Sequence, residues 1–365
     1  MATREQQILA LIRDDPMLSQ QELADQLDIS RSAVAGHVMH LTQKGFIKGR
    51  GYVLSDAPFV TVIGGANVDI HGRSNATLVD RDSNPGEVRI AAGGVARNVA
   101  ENLARLGADC RLIAAVGRDQ HGQMLLQQSR DAGINVKHVH TIPSAKTSTY
   151  VSLLDDQGDM LFAINDMSIV DALSPELLQP QAAMLKQSAL LIVDCNLQAD
   201  ALGWLLQTCA DVPIFADTVS AAKAARLRPH LGSIHTLKTS AIEAEALLGQ
   251  NVASQKELEN ATAELHRAGT QRVFITLGDR GVYFSDGETR GLRKTLQSGS
   301  AVRNAGGAGD AFLAGLAYCW LAQNNLEVSL EFALATAQLT LEYPGTNNPA
   351  LSLGRIRETM ERAYA

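Results

Sequence analysis

Six short apolar runs constrain this chain more than any other feature. They are FVTVIGG (59–65), CRLIAAVG (110–117), ALLIVDCN (189–196), VPIFADT (212–218), IHTLKT (234–239) and RVFITLG (272–278). Most are separated by helix-length segments. The clearest is GGVARNVAENLARLG (93–107), where Val99, Leu103 and Leu106 share one face and Gly107 is the stop. Strands that alternate with helices in this way predict an α/β domain on a largely parallel sheet. Two polar stretches break the rhythm, about residues 71–90 and 146–167. The second alternates like a strand pair around Asp156-Gln157-Gly158. Both are expected to form a small β lid over the strand C-termini, where ligands of open α/β sheets sit.

Residues 1–56 have a different texture, and 59–365 form the large domain. REQQILALIRDD places Ile8, Leu9, Leu11 and Ile12 on one helical face. Ser19 and Glu22 make an S-x-x-E capping box ahead of a helix that buries Leu23 and Leu27. The turn Asp28-Ile29-Ser30 leads to a third helix with Ser30 as N-cap and Val34, Val38 and Leu41 as its stripe. GFIKGRGYVLS then reads as a hairpin with Gly49 or Gly51 near its tip. This is the pattern of a winged helix-turn-helix, whose third helix enters the major groove of DNA. Arg31, Ser32 and His37 are the candidate groove-facing residues, and Lys44, Lys48 and Arg50 the candidate phosphate contacts. The same pattern also suits a three-helix module that binds protein. Arg31 to Arg50 holds four basic residues and no acid, although residues 1–57 together carry six basic and seven acidic residues.

The net charge of −7 argues against coating nucleic acid or membrane through bulk charge. Cys110, Cys195, Cys209 and Cys319 form no C-x-x-C, so core thiols in a reducing cytoplasm are expected. The charged N-terminal stretch lacks signal-peptide architecture, and no apolar run is long enough for a membrane span.

Chemistry concentrates at NAGGAGDAFLAG (304–315). Glycines at a helix mouth let several N–H groups converge on one anion, helped by the helix dipole. Asp310 follows in the first turn, where the dipole favours its ionised form. That pairing suits phosphoryl transfer, with N–H groups holding charge and the acid deprotonating a hydroxyl. It equally suits a core helix with a flexible entry. Asn67 and Asp69 follow the first strand, and Gly93 and Gly94 open a helix carrying Asn98, which together suit a hydroxyl-rich ligand. There is no G-x-x-x-x-G-K-[ST], and no suitably placed G-x-G-x-x-G.

Taken in order, GGANVDI (64–70), GGVARNVAENLARLG with VGRDQHG (116–122), VFITLGDRGVYF (273–284) and GGAGDAFLAG (306–315) resemble the ribokinase (PfkB) family of sugar and nucleoside kinases over roughly residues 60–351. The resemblance implies a three-layer α/β/α domain with a β lid. It implies Asp310 as catalytic base and Gly307, Ala308 and Gly309 as anion hole. Asn67, Asp69, Gly94, Asn98 and Asn196 would bind the sugar. Thr276 and Gly278 would line the ATP site, with Asn347 near the adenine. Mg²⁺ would bridge the phosphates through water. Lids in this family often pair, which implies a homodimer.

Two positions depart from the family pattern. Its N-x-x-E, which helps organise Mg²⁺, is here Ser240 to Glu243, so the metal role is weakened. Its D-T-T is here Asn304-Ala305-Gly306, which removes an acid associated with an activating monovalent cation. Asn304, Asn196, AINDM (163–167) and GTNNP (345–349) look most like the pseudouridine kinases of this family. The implied reaction is ATP-dependent phosphorylation of the pseudouridine 5′-hydroxyl, with Thr149 and Asp166 as base-side contacts. The alternatives are another nucleoside or sugar kinase, for inosine or ribose, or a DNA-binding regulator that uses the kinase fold as a sensor.

Overall fold

The computed structural model describes residues 3–48, 58–156, 160–296 and 302–364. The chain divides into two units, Met1–Pro58 and Phe59–Ala365.

In the first unit three helices, Arg4–Asp14, Gln20–Leu27 and Arg31–Gln43, each begin at a side-chain cap. Ser19 accepts from the Glu22 N–H while the Glu22 side chain accepts from the Ser19 N–H, the capping box read from the sequence. Asp28, in the left-handed region at φ 51°, ends the second helix and turns the chain toward Ser30. Ile8, Ile12, Leu23, Val34, Val38, Leu41 and Ile47 form the core, with Leu9, Leu11 and Leu27 half-buried against it. On the third helix Arg31 and Ser32 are exposed, whereas His37 is half-buried on a flank. Lys44 is tied to Glu5 at 2.9 Å, beside His40 at 2.8 Å, and Lys48 is exposed. Arg50 and the expected hairpin tip lie outside the described residues.

The second unit is built on an eight-stranded sheet. Its order is Arg290–Arg293, Val282–Ser285, Arg272–Thr276, Thr236–Ser240, Ile214–Asp217, Leu190–Asp194, Phe59–Ile63 and Asp109–Ile113. The six strands from Arg272–Thr276 onward are parallel, and the first two pair antiparallel. Successive residues point to opposite faces. Leu190 and Ile192 pack with the helices Val95–Arg105, Ala308–Leu321 and Leu326–Leu341, while Leu191 and Val193 pack with Ala199–Thr208, Ala241–Leu248 and Gln255–Arg267. Both faces are therefore apolar, which is why these strands read as unbroken runs. The result is three layers. All four cysteines are buried and free. Among the described residues no helix is long and apolar enough to cross a membrane.

The lid is a separate four-stranded sheet in the order Gly86–Gly93, Asn67–Ser74, Thr149–Leu154, Met160–Asp166. Register decides which residues share a face. One face carries Asp69 with Ala91, Tyr150 and Asn165, then His71 with Arg89 and Ser152. The other carries Ile70, Ile90, Val151 and Ile164, then Val88, Leu153 and Phe162. This second face is apolar yet open: Val88, Phe162 and Ile164 are 68%, 71% and 72% exposed. Gln157 and Gly158 of the expected turn lie outside the described residues.

Candidate active site

Parallel strands bring their C-terminal ends to one edge. Asp194 and Asp217 end their strands there, and Lys238 lies two residues before the end of the next. Lys238 Nζ is 3.0 Å from Asp217 Oδ2 and is nearly buried. Asp310 joins them from the first turn of Ala308–Leu321. Its Oδ2 accepts from Asn98 Nδ2 at 2.9 Å. Burial pushes the Asp310 carboxyl up to about 7. The negative charge of Asp217 adds to that, and Lys238 and the Asn98 hydrogen bond oppose it. A carboxyl that titrates near neutrality is suited to general-base work.

The glycine loop is shaped by contact as much as by freedom. Gly307 sits at φ 78°, and a Cβ there would lie 1.9 Å from the Thr346 carbonyl oxygen. A Cβ on Gly309 would lie 2.8 Å from Lys238 Nζ. No side chain caps this helix, whereas side chains cap those starting at Gln120, Ala241, Gln255 and Leu326. The first N–H groups, at Ala308 and Gly309, therefore lack a side-chain partner. Asn304 spans the loop base: its Oδ1 accepts from Gly306 N at 2.8 Å and its Nδ2 donates to the Pro344 carbonyl at 3.1 Å.

The residues expected to meet the sugar also come together. Asn67 Nδ2 donates to Asp69 Oδ1 at 2.6 Å. Burial raises the Asp69 pKa, opposed by Asn67, His71 and Arg97. Gly93 faces the Asp69 carboxylate so closely that a Cβ would lie 2.1 Å from Oδ2. Gly94, at φ 99°, opens the helix with Asn98 and packs on the Gly65 backbone. Asn196 lies against Gly65, with its Oδ1 held by Lys223 at 2.6 Å.

Three of the expected contact residues have partners within the protein. Thr149 and Asp166 pair with each other and with Val68, on the lid face opposite Asp69. Strand alternation therefore sets them on the face opposite Asp69. Asp166 Oδ1 instead accepts from Ser168 Oγ and N, at 2.8 Å and 3.3 Å. Asn347 is buried, and its amide donates to the Asn98 carbonyl at 3.0 Å, so it braces the helix Val95–Arg105.

Ser240 and Glu243 form a capping box for Ala241–Leu248, and Glu243 Oε2 also accepts from Thr218 Oγ1 at 2.6 Å. Thr276 ends its strand, and Gly278, at φ 64°, opens onto free space. A cavity of about 730 Å³ adjoins it, lined by Asp279, Arg280, Arg293 and Lys294 among others.

Sequence reasoning missed Asp194, Asp217 and Lys238. Asp194 accepts from the N–H groups of Gly65, Ala96 and Asn196, each at 2.9 Å, and ties the turn at Gly65 to the start of the helix Val95–Arg105. Burial lifts its carboxyl to about 6 despite those donors. The available signal was an acid ending an apolar strand, as in VDCN and FADT.

Residues 57–353 match the model of the pfkB family carbohydrate kinases. The chain belongs to this family. Residues 1–48 match a winged helix-turn-helix DNA-binding model. Among curated relatives, the uncharacterised sugar kinase YeiI of Escherichia coli (strain K12) is 39% identical over 352 residues, covering 96% of this chain and 97% of the relative. The pseudouridine kinase of the same organism is 39% identical over 312 residues, covering 85% and 99%. A carbohydrate kinase structure from Agrobacterium tumefaciens aligns at TM-score 0.73 and 27% identity, covering 84% of this chain and 97% of that one. The ribokinase of Arabidopsis thaliana, solved with ribose and ATP, aligns at TM-score 0.76 and 21% identity over 84% and 99%, a likeness of fold. This kinase is thus a phosphotransferase with an alcohol acceptor, acting on a sugar or nucleoside.

Proposed function

We propose that this kinase transfers the γ-phosphoryl group of ATP to the 5′-hydroxyl of pseudouridine, with Asp310 as the base. The observation that carries the mechanism is a buried carboxyl, raised to about 7, beside an uncapped glycine-rich helix start. Asp310 takes the hydroxyl proton as the new O–P bond forms and the bond to the β-phosphate oxygen breaks, releasing ADP. The N–H groups of Gly307, Ala308 and Gly309 hold the charge on the moving phosphoryl group. Asn67, Asp69, Gly94 and Asn98 orient the ribose, and Thr276 and Gly278 flank the nucleotide.

The residues suit Mg²⁺ that arrives with the nucleotide. Among the described residues no three acids, histidines or cysteines form a metal cage. Asp217, Glu243 and Asp310 nevertheless all act on Lys238, leaving carboxylate charge in excess of that lysine. When bound, Mg²⁺ neutralises phosphate charge, and Glu243 would hold one of its waters.

The substrate choice rests on the 39% identity to a pseudouridine kinase over nearly all of that protein. A second reading, a different sugar or nucleoside such as ribose or inosine, is favoured by equal identity to YeiI across 96% of this chain. A coupled ADP-release assay on pseudouridine, uridine, inosine, ribose and fructose separates them. Pseudouridine should give the highest kcat/KM, and ribose turned over as well would end the pseudouridine reading.

The open apolar lid face fits a second copy of the chain, giving a homodimer through paired lids. The first unit would bind DNA through Arg31, Ser32, Lys48 and Arg50, with His37 at the flank. Footprinting on genomic fragments at two salt concentrations tests this, since phosphate contacts weaken as salt rises.

A further inference from the structure

Arg97 is 4% exposed, a buried cation on the polar stripe of its helix beside Asn98 and Glu101. Its Nη2 is paired with Glu101, which also accepts from Arg105 at 2.6 Å. Its Nη1 lies 3.3 Å from the Ala92 carbonyl, 3.4 Å from Asn98 Oδ1 and 3.5 Å from Asn347 Oδ1. Asn347 in turn donates to the Asn98 carbonyl. The guanidinium therefore sits directly behind the side chain that touches Asp310.

An asparagine amide has a donor end and an acceptor end, and nothing in its shape decides which faces a given neighbour. An ionised Asp310 only accepts, so it needs the Nδ2 end. A flipped amide would set Oδ1 against the carboxylate and repel it. Arginine only donates and stays charged, so it selects Oδ1 for its own side. We propose that Arg97 is a positioning residue: it holds the Asn98 amide in the one orientation that donates to Asp310. The proposal rests on Asp310 being the base. The charges that face Asp310 are Asp217 and Asp194, which raise its pKa, and Lys238, which lowers it. Those around Arg97 are Glu101, Arg105 and Asp69.

The test is the pH profile of kcat for Arg97→Met, read by ADP release. Loss of the selected amide weakens a bond to the ionised base, so the acid-limb midpoint moves up by about one unit. kcat then falls roughly tenfold below the midpoint and recovers at higher pH. A purely structural defect lowers kcat at every pH. Arg97→Lys, still donor-only, should return the midpoint toward wild type. Should Arg97→Met not fold, Arg97→Gln serves, because its amide presents either end and also loses the selection. In an Asn98→Ala background, Arg97→Met should shift the midpoint no further, because the effect passes through that amide. An unshifted midpoint in Arg97→Met, or a shift that persists without Asn98, overturns the proposal. Turnover retained by Asp310→Asn would sink the base assignment instead. An inactive Asp310→Asn alongside an unshifted Arg97→Met would sink only the role of Arg97.

Discussion

Replacing Asp310 by asparagine should stop turnover while making the protein more stable. The carboxyl is raised from 3.8 to about 7, chiefly by burial. Between those values the folded chain holds a proton that the unfolded chain releases, so wild-type stability falls as pH rises through this window. Above it, a shift of about three units corresponds to roughly 4 kcal/mol of cost. Asparagine does not titrate, so the variant escapes that cost. It also removes one carboxylate facing Lys238, which returns part of the gain, leaving about 1–3 kcal/mol. The melting temperature should rise by several degrees at about pH 8, and the advantage should shrink toward pH 5. Melts of both proteins across that range measure it, with ADP release on the same samples. Turnover should drop by about 10²–10⁴. A variant that melts no higher than wild type at every pH would refute the claim that a buried, costly base sits here.

Other perturbations probe separate parts of the site. Gly307→Ala should cost more than tenfold in kcat, because the new methyl group meets the Thr346 backbone in a left-handed turn; unchanged turnover would mean the loop can move aside. Because Asn304 links Gly306 to Pro344 through its own amide, the ADP-release rate should be the same in potassium and in tetramethylammonium salts. Strong potassium activation would contradict that reading. Phe162→Glu on the open lid face should convert a dimer to monomer in sedimentation velocity, whereas Ser32→Glu on the first unit should not.

Local features were legible because neighbouring residues create them. The Ser19–Glu22 box, the helix from Gly94 to the stop at Gly107, and the loop before Asp310 each rest on residues close together in the chain. The same local sign at Ser240 and Glu243 was present too, but it was read as a metal motif before a cap. Placement was not legible where a distant partner decides. Thr149 and Asp166 lie in the expected lid, and register across strands far apart in the chain sets them on the face opposite Asp69. Asn347 meets Asn98 across 249 positions, and no spacing in the sequence announces it.

The sequence by itself therefore determined the elements, the glycine cradle and the identity of the acid beside it. All follow from backbone freedom, apolar periodicity and capping. Only the tertiary structure decided that Asp194, Asp217 and Lys238 share one edge with Asp310, because parallel order brings separate strand ends together. It also decided the state of that acid. A carboxyl is ordinary in a sequence, and it comes to titrate near 7 only when folding takes it out of water and sets Asp217, Lys238 and Asn98 around it.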